Sequence, residues 1–396
     1  MTGRVYLDYA ATTPVLPEVL QAMLPYFSEV YGNPLLIHEW GDRVRQAIEE
    51  ARAKTATLIG AARPEEIIFT SSGTESNNMA VKGIALGRQD KGKHIIVSDI
   101  EHFSVLHSAR TLQKAGFEVT TVPVDKNGVV SPDDVARSLR KDTVLVSVMH
   151  ANGEVGTVQP IKEIAGKVKE AGAIFHTDAV ASVGILPVNV AELGVDALSM
   201  AANQFYGPKG AGALWVRRGV RLLPLMDGGV QEDGRRPGTE NVPAIVGMGK
   251  AAEIARKEMA ERAAKFTTLR DRLIQGVLSK VPYTILTGHP TQRLPNHASF
   301  CIEFIEGEAM LMLLSSQGVA VSSGSACTSR ALKASHVLIA MGLSHEIAQG
   351  SLMCTVGLGT SEADIDYVVE TLPPIITRLR EMSPLWAKHL KQGKGE

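Results

Sequence analysis

Six consecutive residues, Ser322-Ser323-Gly324-Ser325-Ala326-Cys327, place a thiol at the end of a run with almost no side-chain bulk. Small residues suit a loop that moves, and a thiolate on such a loop can act as a nucleophile, a sulfur carrier or a soft ligand for iron. The same run also fits a tight turn with an inert cysteine, anchored by the apolar stretch Gly318-Val319-Ala320-Val321. Cys301 and Cys354 lie in the apolar runs 298–304 and 352–356, which read as buried strands where a thiol stays protonated. Cysteines so scattered form neither a disulfide framework nor a CxxC-type metal site.

A second set of residues gathers at the ends of β-rich runs. Thr70-Ser71-Ser72-Gly73-Thr74-Glu75-Ser76-Asn77 follows Ile67-Ile68-Phe69 and opens a helical pattern. Gly73 and Thr74 can therefore offer backbone N–H groups and a hydroxyl to an anion such as phosphate. An ordinary N-cap by Ser72 or Thr74 fits these residues equally well. His102, within Glu101-His102-Phe103-Ser104, follows the run His94–Ser98, and Asp178 follows Ile174–His176. A single histidine at a strand end is more often structural. In company with an anion turn, however, an imidazole and a carboxylate suit pyridoxal phosphate (PLP). The carboxylate would keep the pyridine nitrogen protonated, the imidazole would stack on the ring, and the turn would take the phosphate.

These residues need a frame that brings strand ends together. From about residue 65 to 217, seven β-rich runs alternate with amphipathic stretches: 67–69, 94–98, 118–123, 144–149, 174–176, 197–200 and 213–216. The alternation predicts an α/β fold with a mostly parallel sheet, and ligands in such sheets gather at the carboxyl ends of the strands. A helical pattern from Ala244 to Lys280 then leads away from the sheet. A strand over 298–304, a helix over 308–316 and a terminal helix over 362–381 predict a smaller α+β domain. The expected division is 17–255 for the large domain, with 1–16 and 256–396 forming the small one.

A chain of 396 residues with 44% hydrophobic content has material for a large core. Its net charge of -1 supplies no electrostatic argument for nucleic acid or an anionic membrane, which leaves a small substrate or a protein partner. The first residues lack the apolar core of a signal peptide, and no apolar run is long enough to span a bilayer, so a cytoplasmic protein is expected.

Over its whole length the chain resembles the cysteine desulfurases of iron–sulfur cluster assembly. These are PLP enzymes of the class V aminotransferase superfamily that pass cysteine sulfur to a protein thiol. The resemblance rests on residues 6–14, 31–34 with His38, 69–78, Glu101-His102, 148–152 with Glu154 and Gly156, Asp178-Ala179, 207–212, 236–241, Gly307-Glu308, 322–327 and 382–386. It implies a fold-type I PLP architecture and a homodimer in which Thr239 of each subunit reaches the phosphate site of the other. It also implies Gly73, Thr74, His102 and Asp178 as cofactor ligands, and Cys327 as the thiol that carries persulfide sulfur to an iron–sulfur scaffold or another acceptor.

The chain departs from that pattern inside the pocket. Gln204 stands where the family has the lysine that holds PLP as a Schiff base, and an amide nitrogen is neither basic nor nucleophilic. Asn203 replaces a histidine, Gly153 an asparagine beside the ring, Ala181 a glutamine on the phenolic oxygen, Ala201 a phosphate-binding serine, and Met353 the arginine that clamps the substrate carboxylate. Lys209 belongs to the family pattern as well and reads as structural. Three readings follow. In the first, Cys327 carries persulfide or ligates a nascent cluster with a scaffold, PLP being unlinked or absent; in the second, the chain is an active desulfurase with non-covalent PLP; in the third, it is a non-catalytic dimer partner.

Overall fold

Residues 4–324 and 334–392 are described by the computed structural model. The seven β-rich runs form one sheet in the order Ile67–Thr70, Gly212–Val216, Ala197–Ala201, Ile174–Asp178, Thr143–Ser147, His94–Ser98, Glu118–Val122. Only Gly212–Val216 runs against its neighbours, and every other adjacent pair is parallel. Most of these strands are buried along their whole length, because helices cover both faces, and this explains their unbroken apolar composition. The arrangement brings the carboxyl ends of the strands at 67–70, 94–98, 174–178 and 197–201 to one edge. Asp178 is the last residue of its strand rather than the first after it, paired with Ser199 of the next strand.

The helix predicted from Ala244 spans Val242–Lys280, capped by the Asn241 side chain with Pro243 in its first turn. At 1.5 Å per residue it is about 58 Å long, enough to serve two cores. Val242, Ile245, Met248 and Ala252 pack in the cluster around the large sheet. Phe266, Leu269, Leu273 and Val277 pack in a second cluster, with the strand His297–Ile302 and the helix Glu362–Glu381. His297–Ile302 is the middle strand of an antiparallel trio with Thr284–Leu286 and Ser351–Thr355. The N-terminal strand Val5–Tyr6 pairs in parallel with Val319–Ala320, and the chain then crosses to the large sheet, where Thr13 bonds to Asn203 and Tyr206. Among the described residues no helix is long and apolar enough to cross a membrane.

One buried ion pair ties the sheet edge to a distant loop. Arg52 makes a two-pronged contact with Glu232 (2.7 and 2.8 Å), donates to the Ile67 carbonyl and lies over the Phe69 ring, while Glu232 also accepts the Phe69 N–H. Both side chains are buried. Removing one partner strands the other charge in a dry place, so Arg52→Ala should lower stability by about 3–5 kcal/mol. A urea-unfolding midpoint within error of wild type would show that water reaches the pair.

Candidate cofactor site

The phosphate turn is held from two sides. Ser72 caps the helical run 73–87 by accepting the Glu75 N–H, so the serine of the two candidate caps fills that role. The Gly73 and Thr74 N–H groups belong to the first turn, which has no intrahelical partners to offer them. A methyl group at Gly73 would meet the Val180 side chain at 2.5 Å, so the turn presses directly on the segment that follows Asp178. Glu75 accepts the Ser71 N–H at 2.6 Å and Arg236 Nε at 2.9 Å. Burial works against its charge, but Arg236 and Ser71 outweigh burial and hold the carboxyl below its ordinary range. Arg236 thereby fastens the segment bearing Thr239, which is exposed, to the turn.

Asp178 is buried, its Oδ1 accepting the Val180 N–H (3.0 Å) and its Oδ2 accepting Asn77 Nδ2 (2.6 Å). Burial raises its pKa, opposed by the nearby His102 and by these two donors. His102 is the exposed N-cap of the helix Phe103–Lys114 and is joined to Asp178 through Ser104 and Asn77. Glu101 beside it is fully buried, bonded to Ser98 Oγ and the Met149 N–H, and burial with the neighbouring Asp178 charge pushes its pKa to about 8. At neutral pH Glu101 therefore favours its protonated form.

The positions at which the chain departs from the resembled pattern lie on several elements. Gln204 sits on the turn Ala202–Gln204 and donates its amide to the Ala10 carbonyl at 2.9 Å, so the side chain in the lysine position is used to dock the N-terminal segment. A side chain on Gly153 would first meet the Ala181 methyl, at 3.8 Å, so two of the trimmed positions face each other. Met353 pairs by both backbone groups with Ser322, at the foot of the cysteine loop. Lys209 reaches the Thr13 carbonyl at 3.4 Å. A lysine that sequence reasoning passed over, Lys82, shares a cavity of about 320 Å³ with Thr74 and His102 and donates to Asn78 Oδ1. Its signal was weak because a π-turn over Met79–Gly83 shifts its facing away from ordinary helical spacing.

Cys327 lies outside the described residues. What can be placed are the chain's approaches to it. On one side Ser322 donates to Asp8 Oδ1 (2.7 Å), and Gly324 packs directly on the Glu154 carboxyl. On the other, Ser335 caps the helix His336–Ala340, and His336 Nε2 bonds the Glu101 carbonyl at 3.1 Å. Both approaches thus reach the edge that carries His102 and Asp178. Glu154 is a second carboxyl raised by burial, to about 7, against a bond from Ser335. Cys301 and Cys354 are buried strand residues whose thiols burial raises to about 12.

The donor set fits pyridoxal phosphate. The turn at Gly73 supplies N–H groups, Asp178 a buried carboxylate and His102 an accessible ring, while Gln204 supplies no amine. Neither the sequence runs nor their ends pointed to Asn77 and Ser104, which join His102 to Asp178. Polar residues one turn into a helix carry no pattern until the strands have been placed.

Glu101 gives a pH test. Between about pH 4.5 and 8 the folded protein holds a proton there that the unfolded chain has released, so this group makes stability fall as pH rises through that window. His150, His176 and His297, depressed by burial to about 4, 3 and 3, act in the opposite sense as pH falls below their ordinary value, equally in wild type and variant. Glu101→Gln should therefore gain on wild type by roughly 2–4 kcal/mol between pH 5 and 8. A difference that does not change with pH would show that Glu101 is ionised in the fold.

Comparison with known proteins agrees with this geometry. The family model described as Aminotransferase class-V matches residues 5–368. A curated relative, "Cysteine desulfurase IscS" of Methanosarcina thermophila, is 52% identical over 387 residues, covering 98% of this chain and 95% of its own. A solved structure named "NIFS-LIKE PROTEIN" superposes with a TM-score of 0.89 at 38% identity, over 95% of this chain and 100% of its own. Another, "SspA in complex with cysteine", gives 0.79 at 34% identity, over 89% of this chain and 99% of its own. The chain belongs to the class V aminotransferase family, among its cysteine desulfurases.

Proposed function

We propose that this protein is a desulfurase-type sulfur carrier of iron–sulfur cluster biogenesis, in which Cys327 carries persulfide sulfur or ligates a nascent cluster together with a scaffold partner. The observation that carries the reading is Gln204. Its amide is engaged with the Ala10 carbonyl, at the position where the family resemblance calls for an amine. With no amine there, and with Met353 and Ala181 in place of an arginine and a glutamine, the chain has no evident means of taking sulfur from cysteine by the family's route.

Persulfide transfer requires less of the chain. The Cys327 thiolate attacks the outer sulfur of a donor persulfide, the donor leaves as a thiolate, and the reverse step delivers sulfur to the acceptor, so electrons balance without an added oxidant or reductant. As a cluster ligand, the same thiolate would complete coordination begun by cysteines of the scaffold. When bound, PLP supplies an electron sink at the amino-acid α-carbon. Gly73 and Thr74 would hold its phosphate, Asp178 its ring nitrogen and His102 its face, without covalent attachment. We place Thr239 at the phosphate site of a partner subunit in a homodimer. The apolar surface at Phe27, Tyr31, Ile37 and Trp40, where Ile37 is 98% exposed, supports a second copy. We put the domain division inside the long helix, at 255, and the protein in the cytoplasm.

A second reading has an observation of its own. The intact link from Asp178 through Asn77 and Ser104 to His102 favours a working PLP site and hence an active desulfurase with unlinked cofactor. Borohydride reduction of the PLP-loaded protein followed by peptide mass spectrometry should find no pyridoxyl group on lysine, whereas Gln204→Lys should turn yellow and acquire one at residue 204. A pyridoxyl group on Lys82 or Lys209 of the wild type would contradict unlinked binding.

Brief alkylation of the native protein should label Cys327 far faster than Cys301 or Cys354, whose thiols are shielded and protonated. Cys327→Ser should abolish persulfide transfer to, and cluster sharing with, an iron–sulfur scaffold while the fold persists. Unchanged transfer and cluster sharing by Cys327→Ser would overturn the carrier reading and leave a structural dimer partner in its place.

A further inference from the structure

Asn77 is fully buried one turn into the helical run, and its single amide nitrogen spends both hydrogens on the site. One goes to Asp178 Oδ2 at 2.6 Å and the other to Ser104 Oγ at 2.9 Å. The orientation of the amide is not in question, since a carboxylate oxygen at 2.6 Å must face the NH₂ end. Ser104 Oγ accepts from Asn77 and lies 2.7 Å from His102 Nδ1, and because that nitrogen already accepts the Ser104 backbone N–H, the hydroxyl hydrogen is directed to it as well. The Ser104 backbone N–H also donates to His102 Nδ1, at 3.1 Å. Two donors converge on one ring nitrogen, and a nitrogen that accepts twice carries no proton. The imidazole proton is therefore on Nε2.

We propose that Asn77 is a positioning residue that orients the Asp178 carboxylate and, through Ser104, fixes His102 as the neutral Nε2–H tautomer. This deepens the assignment of His102 and Asp178 as the groups flanking PLP and rests on that assignment for its purpose, though not for its geometry. A neutral imidazole leaves the orientation of the Asp178 carboxyl to its hydrogen bonds from Asn77 and the Val180 N–H. It also keeps a second positive charge away from the protonated pyridine nitrogen that Asp178 would hold. Asparagine is suited to the position because a carboxylate at 77 would repel Asp178 and an alanine would offer neither donor. Its Oδ1 has no hydrogen-bond partner among the described residues, so both of its recorded links run through the nitrogen.

The test reads the tautomer directly and needs no cofactor. In protein carrying ¹⁵N-histidine, long-range proton–nitrogen correlation spectra should show His102, assigned by its disappearance in His102→Gln, with an unprotonated Nδ1 and a protonated Nε2. Ser104→Ala removes the hydroxyl donor to His102 while keeping the residue-104 N–H on Nδ1 and Asn77 on Asp178, and should shift the tautomer population part-way toward Nδ1–H with PLP affinity weakened only about twofold to threefold. Asn77→Ala frees the Ser104 hydroxyl to turn and should also shift the tautomer part-way toward Nδ1–H, and should weaken PLP binding, followed by absorbance during dialysis, about tenfold, as expected for losing a buried hydrogen bond that orients the carboxyl. A merely structural Asn77 would lower the melting temperature and leave the His102 spectrum as it was. That result, or an unshifted tautomer in Ser104→Ala should Asn77→Ala fail to fold, would overturn the proposal. Because the tautomer is read without PLP, its failure is distinct from failure of the carrier reading.

Discussion

A buried carboxyl needs hydrogen-bond partners, and Asp178, at the carboxyl end of a central strand, sets the terms for the groups around it. Asn77 and the Val180 N–H supply two of those partners. Glu101 next door holds its proton, and the imidazole that faces the site is kept by Ser104 in the form that accepts at Nδ1. The sheet order makes this possible, since one antiparallel strand lets the ends of four parallel ones converge. Gly73 has no side chain because the turn must lie against Val180, and the anion turn is thereby brought beside the strand that ends in Asp178.

Beside that cradle, Gln204 offers an amide and no amine. Gln204 is not idle space-filling: its bond to Ala10 helps hold the N-terminal segment, whose continuation binds Asn203 and Tyr206 through Thr13 and whose beginning pairs with Val319–Ala320 at the root of the cysteine loop. The Gln204 side chain thus serves docking between the two cores. Gly153 and Ala181 face each other, while Asp178 keeps its bonds to Asn77 and the Val180 N–H.

Much of this was legible before any coordinates. Unbroken apolar runs marked the strands, and helical patterns marked the long helix from Ala244 and the terminal helix from Glu362, to which the structure adds the Asn241 cap and the Ser361–Asp364 capping box. The site residues named from strand ends stand at one edge, as the rule for parallel sheets requires. What the residues could not declare were protonation states and relays. Glu101 and Glu154 are ordinary letters until burial raises them, Asn77 becomes a link only when the neighbouring helix supplies Ser104, and the π-turn that aims Lys82 into the cavity has no composition of its own. Cys327, the residue most visible in the sequence, lies outside the described residues, and its role stays a proposal supported by where its two approaches are tied.

Sulfide release from L-cysteine by the purified protein, with saturating PLP and a thiol reductant, tests the central claim most directly. The account predicts release no faster than PLP and reductant produce without protein, because neither Gln204 nor Met353 can do the work of the groups they replace. Sustained release over many turnovers above that background, lost in Cys327→Ser, would contradict it and establish an active desulfurase that manages without the lysine.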